Sequence, residues 1–313
     1  MSSTPLRAKR IARFIQPFRV PPGRKVSLDD FDPDSTGGHK REEAGENQEL
    51  LHQGVELLSE YQARLAAGAA DGVLVVLQAM DAAGKDGTIR HVMSGVNPQG
   101  VRVHGFKAPT ADELAHDYLW RYAARVPGRG EIAIFNRSYY EEVLVVRVHP
   151  ELLAARHLRD GKGEDHLWKQ RFDHINNFER YLADNRIHVV KMFLHVSSDA
   201  QKGRFLQRID APEKNWKFTA ADVRERDFWD DYQAAFSDVI SHTSTPWAPW
   251  YVVPADHKWF SRLLAAAVIA NALIEIEPEY PSVSSEARTQ LQAARRKLEG
   301  ETKAHTTRHR RAS

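Results

Sequence analysis

A run of five aliphatic residues followed by a glycine-containing loop constrains the fold of this chain more than any other feature. Residues 73–77 (VLVVL) are continuously apolar, which is typical of a strand buried on both faces of a parallel sheet. The following residues 79–85 (AMDAAGK) have the spacing of a phosphate-binding P-loop, and residues 88–93 predict a helix. Such a loop directs backbone N–H groups and the positive end of a helix at phosphate. The sequence therefore predicts a strand–loop–helix unit that binds phosphate.

Two positions depart from the standard P-loop pattern, and one residue inside the loop is unusual. Ala79 occupies the position of the first glycine, and Asp86 that of the serine or threonine that holds magnesium. Asp81 lies inside the loop, where a carboxylate repels phosphate unless a cation lies between them. We therefore expect Asp81 to bind magnesium, or to orient or deprotonate a phosphate acceptor. The alternative is that Gly84 and Gly87 only form a turn between strand and helix.

Length and composition limit the class of protein. The 313 residues suffice for one large α/β domain with extensions, or for two small domains. Hydrophobic residues make up 42% and charged residues 27%, as in an ordinary globular protein. The sequence contains no cysteine, which excludes disulfides and thiolate zinc sites. The absence of cysteine also favours a cytoplasmic enzyme. We further expect no membrane span and no signal-peptide core, because no apolar run approaches the necessary length and the N-terminus lacks the pattern.

The rest of the chain alternates strands with helices. Apolar runs predict further strands at residues 101–106, 132–135, 187–196 and 250–253. Helical periodicity predicts helices at 46–67, 112–124 (with Thr110 as N-cap), 164–183 and 259–276, and a helix start at 139–147. The expected fold class is therefore α/β: a P-loop kinase-like three-layer α/β/α fold with a parallel sheet of about five strands and a helical lid.

Basic residues are concentrated outside the predicted sheet. Residues 1–25 hold seven basic side chains and no acidic one, so this arm is either solvated or binds a polyanion. Residues 197–232 predict a basic helix–turn–helix in which Arg204 and Arg208 share one helix face. Either an anion or salt bridges to Asp222, Glu225 or Asp227 would balance these arginines.

We expect three regions along the chain. Residues 1–45 form the basic N-terminal arm and an aperiodic loop. Residues 46–276 form the catalytic domain, with the lid insert at about 197–232. Residues 277–313 form a polar helix at 286–298 and a basic tail, which we expect to be peripheral and partly disordered.

Four motifs in the same order resemble the family-2 polyphosphate kinases. They are residues 78–89 (QAMDAAGKDGTI), 91–101 (HVMSGVNPQGV), 135–144 (FNRSYYEEVL) and 248–255 (APWYVVPA), and the lid stretch 204–217 is similar too. The resemblance covers about residues 45–275. It implies a usually oligomeric P-loop kinase-like protein that reversibly moves the terminal phosphate of inorganic polyphosphate onto a nucleotide, with magnesium. Ala79 departs from the glycine that is frequent in the family, and alanine is tolerated there if its φ is negative.

Phosphoryl transfer between two polyanions requires bound charge and an aligned donor, phosphorus and acceptor. We expect Lys85 to bind the transferred phosphate and Asp81 to hold magnesium or orient the attacking oxygen. Arg137, after the third strand, would neutralise charge opposite the P-loop, and Arg208 would close from the lid. The predicted phosphate and polyphosphate ligands are Ala82, Ala83, Gly84, Asp86, Gly87, Thr88, Arg90, Arg204, Lys214 and Lys217. The predicted nucleotide-binding residues are Asn136, Arg137, Tyr140 and Glu141.

The resemblance also implies a cofactor and partners. Mg²⁺ is the expected cofactor, with Mn²⁺ as a substitute and Asp86 as a second candidate ligand. The expected partners are inorganic polyphosphate, adenine and guanine nucleotides, and further copies of the chain in a homodimer or homotetramer. We do not expect a membrane or nucleic acid as partner.

Asn136 carries a hypothesis about the nucleotide. Relatives confined to diphosphates typically have Asp at this position, and Asn resembles the subgroup that also accepts monophosphates. A neutral amide both donates and accepts hydrogen bonds, which suits more than one phosphate pattern. The alternative is that Asn136 only caps the turn after the third strand.

Two other functions fit parts of the sequence. An ATP-dependent nucleotide kinase shares the layout of a P-loop with a lid, but the basic tracts favour a long polyanion as donor. A non-catalytic polyphosphate- or nucleic-acid-binding protein would need basic segments, but it would not need Asp81 together with Lys85.

Overall fold

The computed structural model describes residues 4–39, 44–154 and 164–310, and the sheet it contains is the predicted one. The strands are Gly72–Ala79 (β1), Val101–Gly105 (β2), Ile132–Asn136 (β3), Ile187–His195 (β4) and Trp250–Pro254 (β5). All pairings are parallel, in the spatial order β2-β3-β1-β4-β5. The predicted strands agree with these bounds to within two residues, so the expected parallel sheet is confirmed.

Helices precede, connect and follow the strands. Their bounds are Thr4–Ile15 (α1), Ala44–Gly68 (α2), Lys85–Val92 (α3), Ala111–Leu114 (α4), Trp120–Ala123 (α5), Val145–Val148 (α6), Glu151–Ala154 (α7), Glu164–Asp184 (α8), Ser198–Asp210 (α9), Ala220–Arg224 (α10), Trp229–Thr243 (α11), Lys258–Ile276 (α12) and Ser285–Arg310 (α13). Short 3-10 helices lie at Gln16–Phe18, Leu28–Asp30, Pro98–Gly100, Tyr139–Val143, Pro212–Lys217 and Glu225–Phe228.

The central strand β1 is buried on both faces. Residues 73–77 are at most 1% exposed, and successive side chains of a strand point to opposite faces. Helix α12 packs against α1, α2 and α3 and contacts β4 and β5, whereas α8 contacts β4 and packs against α11. Helices therefore cover both faces of the sheet, as the three-layer prediction required.

The N-terminal arm packs through its apolar side chains while its basic ones Arg7, Lys9, Arg10, Arg13, Arg24 and Lys25 are exposed, so both alternatives for residues 1–25 stay open. Apolar side chains of this segment and the following loop are buried in the main core: Ile15, Phe18, Val20, Val26 and Leu28. The Val20 N–H donates to the Trp250 carbonyl at 2.8 Å, and Arg19 forms an antiparallel bridge with Tyr251. The arm thus covers the outer edge of β5, where backbone groups would otherwise lack partners.

Two predicted helices are interrupted. Thr110 does cap α4, in a capping box with Glu113, but α4 ends at Leu114 and α5 begins only at Trp120. The Asp117 carboxylate accepts the Leu119 N–H between them, a local bond that competes with helix formation. The predicted helix start at 139–147 is a 3-10 helix, Tyr139–Val143, followed by the short α6.

The chain divides into two compact units, Met1–Pro278 and Glu279–Ser313. The second unit contains α13, which is longer than the helix predicted at 286–298 and continues through Arg310. The predicted basic tail is therefore helical as far as this residue, and residues 311–313 lie outside the described part of the chain.

Helix α12 corrects the expectation that no segment approaches membrane-span length. It has 19 residues and is long and apolar enough to cross a membrane by length and composition, but 67% of its most apolar 18-residue stretch is buried inside the protein. It also packs against α1, α2 and two strands. A core helix accounts for both its hydropathy and its burial.

The packing of the N-terminal arm predicts a large effect of Phe18→Ala on stability. Phe18 packs edge-on against Phe260 of α12, with ring centroids 5.7 Å apart. Removing a buried phenyl ring costs about 3–5 kcal/mol, so the free energy of unfolding in denaturant titrations should fall by about 3 kcal/mol. The control is Lys9→Ala on the exposed face of α1, which should stay within about 0.5 kcal/mol of wild type. Equal stability of all three proteins would contradict a packed arm.

Candidate active site

The site lies at the carboxyl edge of the sheet, where parallel strands place ligand-binding loops. Leu77 of β1 is paired with Asn136 of β3, and the Arg137 N–H continues this ladder by donating to the Leu77 carbonyl at 3.2 Å. The loops after the two strands are therefore adjacent. Together with the segment 197–232 they line a cleft of about 940 Å³, whose lining includes residues 81–88, Arg90, Asn136, Arg137, Arg204 and Arg208.

The P-loop backbone adopts the conformation that the loop spacing requires. Gly84, the N-cap of α3, has φ 112°, a left-handed value that glycine adopts without steric cost. Ala82 also has a positive φ, of 60°, whereas Ala79 is the last residue of β1 and does not. The condition under which Ala79 can replace the usual glycine is met.

Lys85 is the first residue of α3, and its side chain turns back over the loop. Its ammonium donates to the Ala79 carbonyl at 2.8 Å and the Met80 carbonyl at 3.3 Å. Burial lowers the pKa of Lys85, while the negative charge of Asp81 acts in the opposite direction. The ammonium is thus held against the loop, and the residue lines the cleft.

Asp81 and Arg137 form an ion pair across the two loops, with 3.1 Å between Arg137 Nη2 and Asp81 Oδ1. Burial would lower the pKa of Arg137, but the carboxylates of Glu141 and Asp81 raise it above its ordinary value. Arg137 has φ 67°, and such a conformation is uncommon for a residue with a side chain. Strain of this kind is concentrated at functional sites.

Asn136 and Asp86 also meet across the two loops. The Asn136 side-chain amide donates to Asp86 Oδ1 at 2.9 Å. The amide therefore bonds to a carboxylate of the P-loop helix, which is not the turn-capping role that was the alternative. Thr88 is buried nearby and Arg90 is exposed at the mouth of the cleft.

Arg204 lines the cleft, but its guanidinium is bonded to protein carbonyls, and its predicted role in phosphate binding stays a prediction. The residue is 7% exposed, and its guanidinium donates to carbonyl oxygens of four residues: Ala82, Ala83, Ala255 and Asp256. Bonds to Ala82 and Ala83 hold the P-loop against α9. We conclude that Arg204 is a positioning residue, because its donors are directed at the loop carbonyls.

Arg208 lies one helical turn further on, and its environment differs. It is half-buried, lines the cleft, and packs over the Phe205 ring at 5.6 Å. Among the described side chains, neither Arg204 nor Arg208 forms an ion pair with the lid carboxylates at 222, 225 and 227. The salt-bridge alternative therefore does not hold, and Arg208 keeps its cationic group toward the cleft.

The remaining two predicted nucleotide ligands, Tyr140 and Glu141, lie in the turn after Arg137 and have different environments. Tyr140 is completely buried, and its hydroxyl donates to Glu179 and accepts from Lys191. Tyr140 therefore lies in the core and is not among the residues that line the cleft or the cavity that adjoins it, so its predicted contact with the nucleotide gains no support and stays a prediction. Glu141 accepts a hydrogen bond from Gln78 at 2.9 Å and does line a cavity.

That second cavity, of about 240 Å³, adjoins the cleft. Its lining combines four carboxylates, Arg137, Gln201 and Tyr232 with an apolar group formed by Met80, Leu144, Val145 and Phe236. Asp81, Arg137 and Asp222 belong to the lining of both spaces. The ion pair between Asp81 and Arg137 thus marks the point where the basic cleft meets the smaller, more acidic cavity.

Comparisons with known proteins agree with this geometry. A model of the family described as Polyphosphate kinase 2 (PPK2) matches residues 40–281, which is more than half of the chain. The protein belongs to the polyphosphate kinase 2 family. The chain is similar to the ADP-polyphosphate phosphotransferase of Rhodopseudomonas palustris, with 47% identity over 282 residues that cover 90% of this chain and 97% of that one.

Two further similarities extend the comparison. The AMP/ADP-polyphosphate phosphotransferase of Meiothermus ruber is 46% identical over 266 residues, 84% of this chain and 94% of that one. The crystal structure of Polyphosphate Kinase 2 from Arthrobacter aurescens TC1 superimposes with a TM-score of 0.80 at 36% identity. It covers 89% of this chain and 96% of that one. The P-loop kinase-like fold of this family member is therefore confirmed.

The structure adds residues that the sequence analysis of this polyphosphate kinase 2 family member missed. Lys107, Lys258, Arg262 and the highly exposed Trp216 line the cleft. Lys107 follows β2 by two residues, and this position after a strand could have indicated a ligand-binding residue. Nothing in the sequence around Lys258 and Arg262 indicates that they line the cleft. The side chains of Lys214 and Lys217, two predicted polyphosphate ligands, lie outside the described ones.

The residues of the P-loop fit a magnesium ion bound together with phosphate. The described residues contain no group of three or more His, Cys, Asp or Glu that could hold a metal by itself. Mg²⁺ usually takes one or two carboxylates and completes its shell with water and substrate phosphates. Asp81 and Asp86 both line the cleft beside Lys85 and provide such carboxylates.

Arg204→Ala and Arg208→Ala form a matched pair that separates positioning from direct action. Loss of Arg204 leaves buried carbonyls without donors, at about 1–3 kcal/mol each, so the melting temperature should fall by about 5 °C or more. Arg208→Ala should leave the melting temperature almost unchanged and lower kcat at least about 100-fold, as loss of an arginine that neutralises transferred phosphate does. Differential scanning fluorimetry and steady-state kinetics on both variants provide the measurements. A large stability loss with a modest rate change in Arg208→Ala would contradict its assignment.

Proposed function

We propose that the protein moves the terminal phosphate of inorganic polyphosphate onto nucleotides, converting AMP to ADP and ADP to ATP reversibly with Mg²⁺. The observation that carries the proposal is the meeting of two differently charged spaces at Asp81 and Arg137. A phosphoryl donor and an acceptor must approach each other in line, so two sites have to join at the transfer point.

The basic cleft supports a long polyanion as the donor. Cationic side chains extend along it from the P-loop to α12 and the lid: Lys85, Arg90, Lys107, Arg208, Lys258 and Arg262. Burial lowers the pKa of Arg262, and the positive charge of Arg90 lowers it further, so cations crowd each other at this end. A bound polyphosphate relieves this repulsion, and several phosphates are needed to reach all of these cations.

The smaller cavity supports a nucleoside as the occupant on the acceptor side. Its apolar group, Leu144, Val145, Phe236 and Met80, offers contacts for a base or a ribose ring. Its carboxylates accept hydrogen bonds from amino and hydroxyl groups and repel a free polyphosphate chain. The acceptor phosphate would then emerge beside Arg137, facing the terminal phosphate of the donor. Adenine and guanine nucleotides both carry groups of this kind.

Transfer itself needs little covalent chemistry from the protein. A phosphate oxygen of the acceptor forms a bond to the terminal phosphorus, and the bond to the bridging oxygen of polyphosphate breaks. Lys85, the loop amides and Arg137 stabilise the charge on the transferred group, and Arg208 contributes from the lid. Asp81 orients the acceptor oxygen, and it also orients Arg137 through the ion pair between the two side chains. Bound Mg²⁺ would supply further charge neutralisation at the Asp81 and Asp86 carboxylates.

Reversibility follows from the chemistry of the substrates. The bond that forms and the bond that breaks are both phosphoanhydrides, so substrate concentrations decide the direction. We further propose a homodimeric or homotetrameric enzyme of the cytoplasm, because the family resemblance implies an oligomer and a chain without cysteine is typical of a reducing compartment.

A nucleotide chromatogram without ATP tests the function. The purified protein is incubated with Mg²⁺ and polyphosphate, in parallel with AMP and with ADP, and a tube without polyphosphate controls for disproportionation of two ADP. We expect ADP and ATP from AMP, and polyphosphate-dependent ATP from ADP. Asp81→Ala and Lys85→Ala should each lower turnover at least about 100-fold, because loss of transition-state charge stabilisation typically costs 10²–10³.

The outcomes separate the rival functions. Product that forms only when ATP is added as donor would indicate an ATP-dependent nucleotide kinase. Polyphosphate that binds while no product forms would indicate a binding protein. A near-normal rate in either alanine variant would remove that residue from the proposed mechanism.

The hydrogen bond between Asn136 and Asp86 generates a prediction about acceptor choice. Asn136→Asp places two carboxylates at hydrogen-bonding distance at the cleft, so turnover with AMP should fall more than turnover with ADP. The matched control is the exchange Asn136→Asp with Asp86→Asn, which restores an amide–carboxylate bond and should recover part of the AMP activity. Rates with both nucleotides are compared at saturating polyphosphate. Equal losses with AMP and ADP would discard a role of Asn136 in acceptor choice.

A further inference from the structure

Two ion pairs in the described part of the chain are fully buried, and both are attached to the turn that follows Arg137. The side chains of Lys191 and Glu179 are each 0% exposed, and those of Arg171 and Glu142 are 3% and 4% exposed. Glu142 belongs to the 3-10 helix Tyr139–Val143, and Glu179 bonds to two tyrosines of the same helix. A concentration of buried charge at one turn requires an explanation.

The Lys191–Glu179 pair fixes the first two residues of this turn. The hydroxyls of Tyr139 and Tyr140 both donate to Glu179 Oε1 at 2.8 Å. Lys191 Nζ donates to Glu179 Oε2 at 2.5 Å, to the Tyr140 hydroxyl at 2.9 Å and to the Thr243 carbonyl at 2.6 Å. Burial raises the pKa of both tyrosines well above the ordinary value, so both hydroxyls stay protonated and can donate.

The Arg171–Glu142 pair fixes the other end of the turn. Arg171 donates both to the Glu142 carboxylate, at 3.3 Å, and to the Glu142 backbone carbonyl. Arg171 and Glu179 lie eight residues apart on α8, two helical turns, with the fully buried Ile175 between them on the same face. One face of a single helix therefore carries the acid and the base that hold the turn.

Stability alone does not account for such pairs. Each buried ion loses its hydration, and replacing a buried pair by apolar residues of similar volume is often neutral or stabilising. These two pairs also bind groups of the turn directly, namely the hydroxyls of Tyr139 and Tyr140 and the Glu142 backbone carbonyl. The residues held here lie directly next to Arg137, which has a strained φ of 67°, and Glu141 of the same turn faces the second cavity.

We propose that the buried network of Lys191, Glu179, Tyr139, Tyr140, Arg171 and Glu142 positions Arg137 for phosphoryl transfer. The inward-facing residues of the turn bind α8 and β4, and this anchoring holds the backbone of Arg137 in its left-handed conformation. The guanidinium is thereby kept within reach of Asp81. The network residues touch no substrate and act through Arg137, and the inference rests on the proposed reaction.

A double-mutant cycle between Tyr140→Phe and Arg137→Ala tests the proposal. Tyr140→Phe removes one hydroxyl that links Glu179 and Lys191, and should lower kcat about tenfold while KM for polyphosphate and nucleotide stay within about twofold. In the Arg137→Ala background the same change should lower kcat less than about twofold, because the group that it positions is absent. Melting temperatures of all proteins ensure that each assay is run on folded enzyme.

The matched control is Tyr61→Phe. Tyr61 is a buried tyrosine of α2, far along the chain from the turn, and loss of its hydroxyl should leave kcat unchanged. Tyr140→Phe with an unchanged kcat, or with an equal loss in the presence and absence of Arg137, would show that the network only stabilises the fold. Either result overturns the proposal.

A second variant is needed because a protein that loses only one charge of the buried pair can misfold. Lys191→Met combined with Glu179→Gln removes both charges at once and preserves the approximate volume, so the domain should fold. We expect a lower kcat with little change in KM, and a double variant with wild-type kcat would overturn the inference. Absence of polyphosphate-dependent product from the wild-type protein in the same assay would instead refute the proposed function, and the inference would fall with it.

Discussion

The register of β1 against β3 is the constraint on which the site depends. Leu77 pairs with Asn136, and the Arg137 N–H extends the ladder to the Leu77 carbonyl. A shift by one residue would turn every side chain of β3 to the opposite face of the sheet. Asp81 and Arg137 could then no longer form their ion pair, and the two cavities would no longer meet at it. The buried apolar side chains of both strands set this register, so core packing decides the geometry of the charges.

The cationic side chains of this protein form two groups with different roles. Lys85, Arg137 and Arg208 present cations to the cleft, whereas Arg204, Arg171 and Lys191 are buried and bonded to protein oxygens. The second group holds the loops that carry the first. This division follows from electrostatics: cations that must remain close together without a bound anion repel each other, so their backbone needs support from elsewhere. Arg204 supplies it to the P-loop and α8 to the turn after Arg137.

Much of the fold and part of the site were predictable from local pattern. The apolar run at 73–77 and the glycine spacing after it indicated a buried strand and a phosphate loop, and both are present. The basic arm was harder, because its charges suggested solvation. Ile11, Phe14, Ile15 and Phe18 have helical spacing, however, and this stripe packs on α12. Hydrophobic periodicity was here a better guide than charge.

The sequence by itself thus determined where the strands lie along the chain. It also determined the phosphate loop, the carboxylate within that loop and the family motifs. It could not distinguish Arg204 from Arg208, which share a helix face, or Tyr140 from Glu141, which are neighbours in one motif. The two members of each pair differ in their hydrogen-bond partners. Arg204 bonds to carbonyls of the P-loop and of the segment after β5, and Tyr140 bonds to Lys191 and Glu179. Those partners lie between 39 and 122 residues away along the chain, so tertiary structure alone decides which side chains face the substrate cleft.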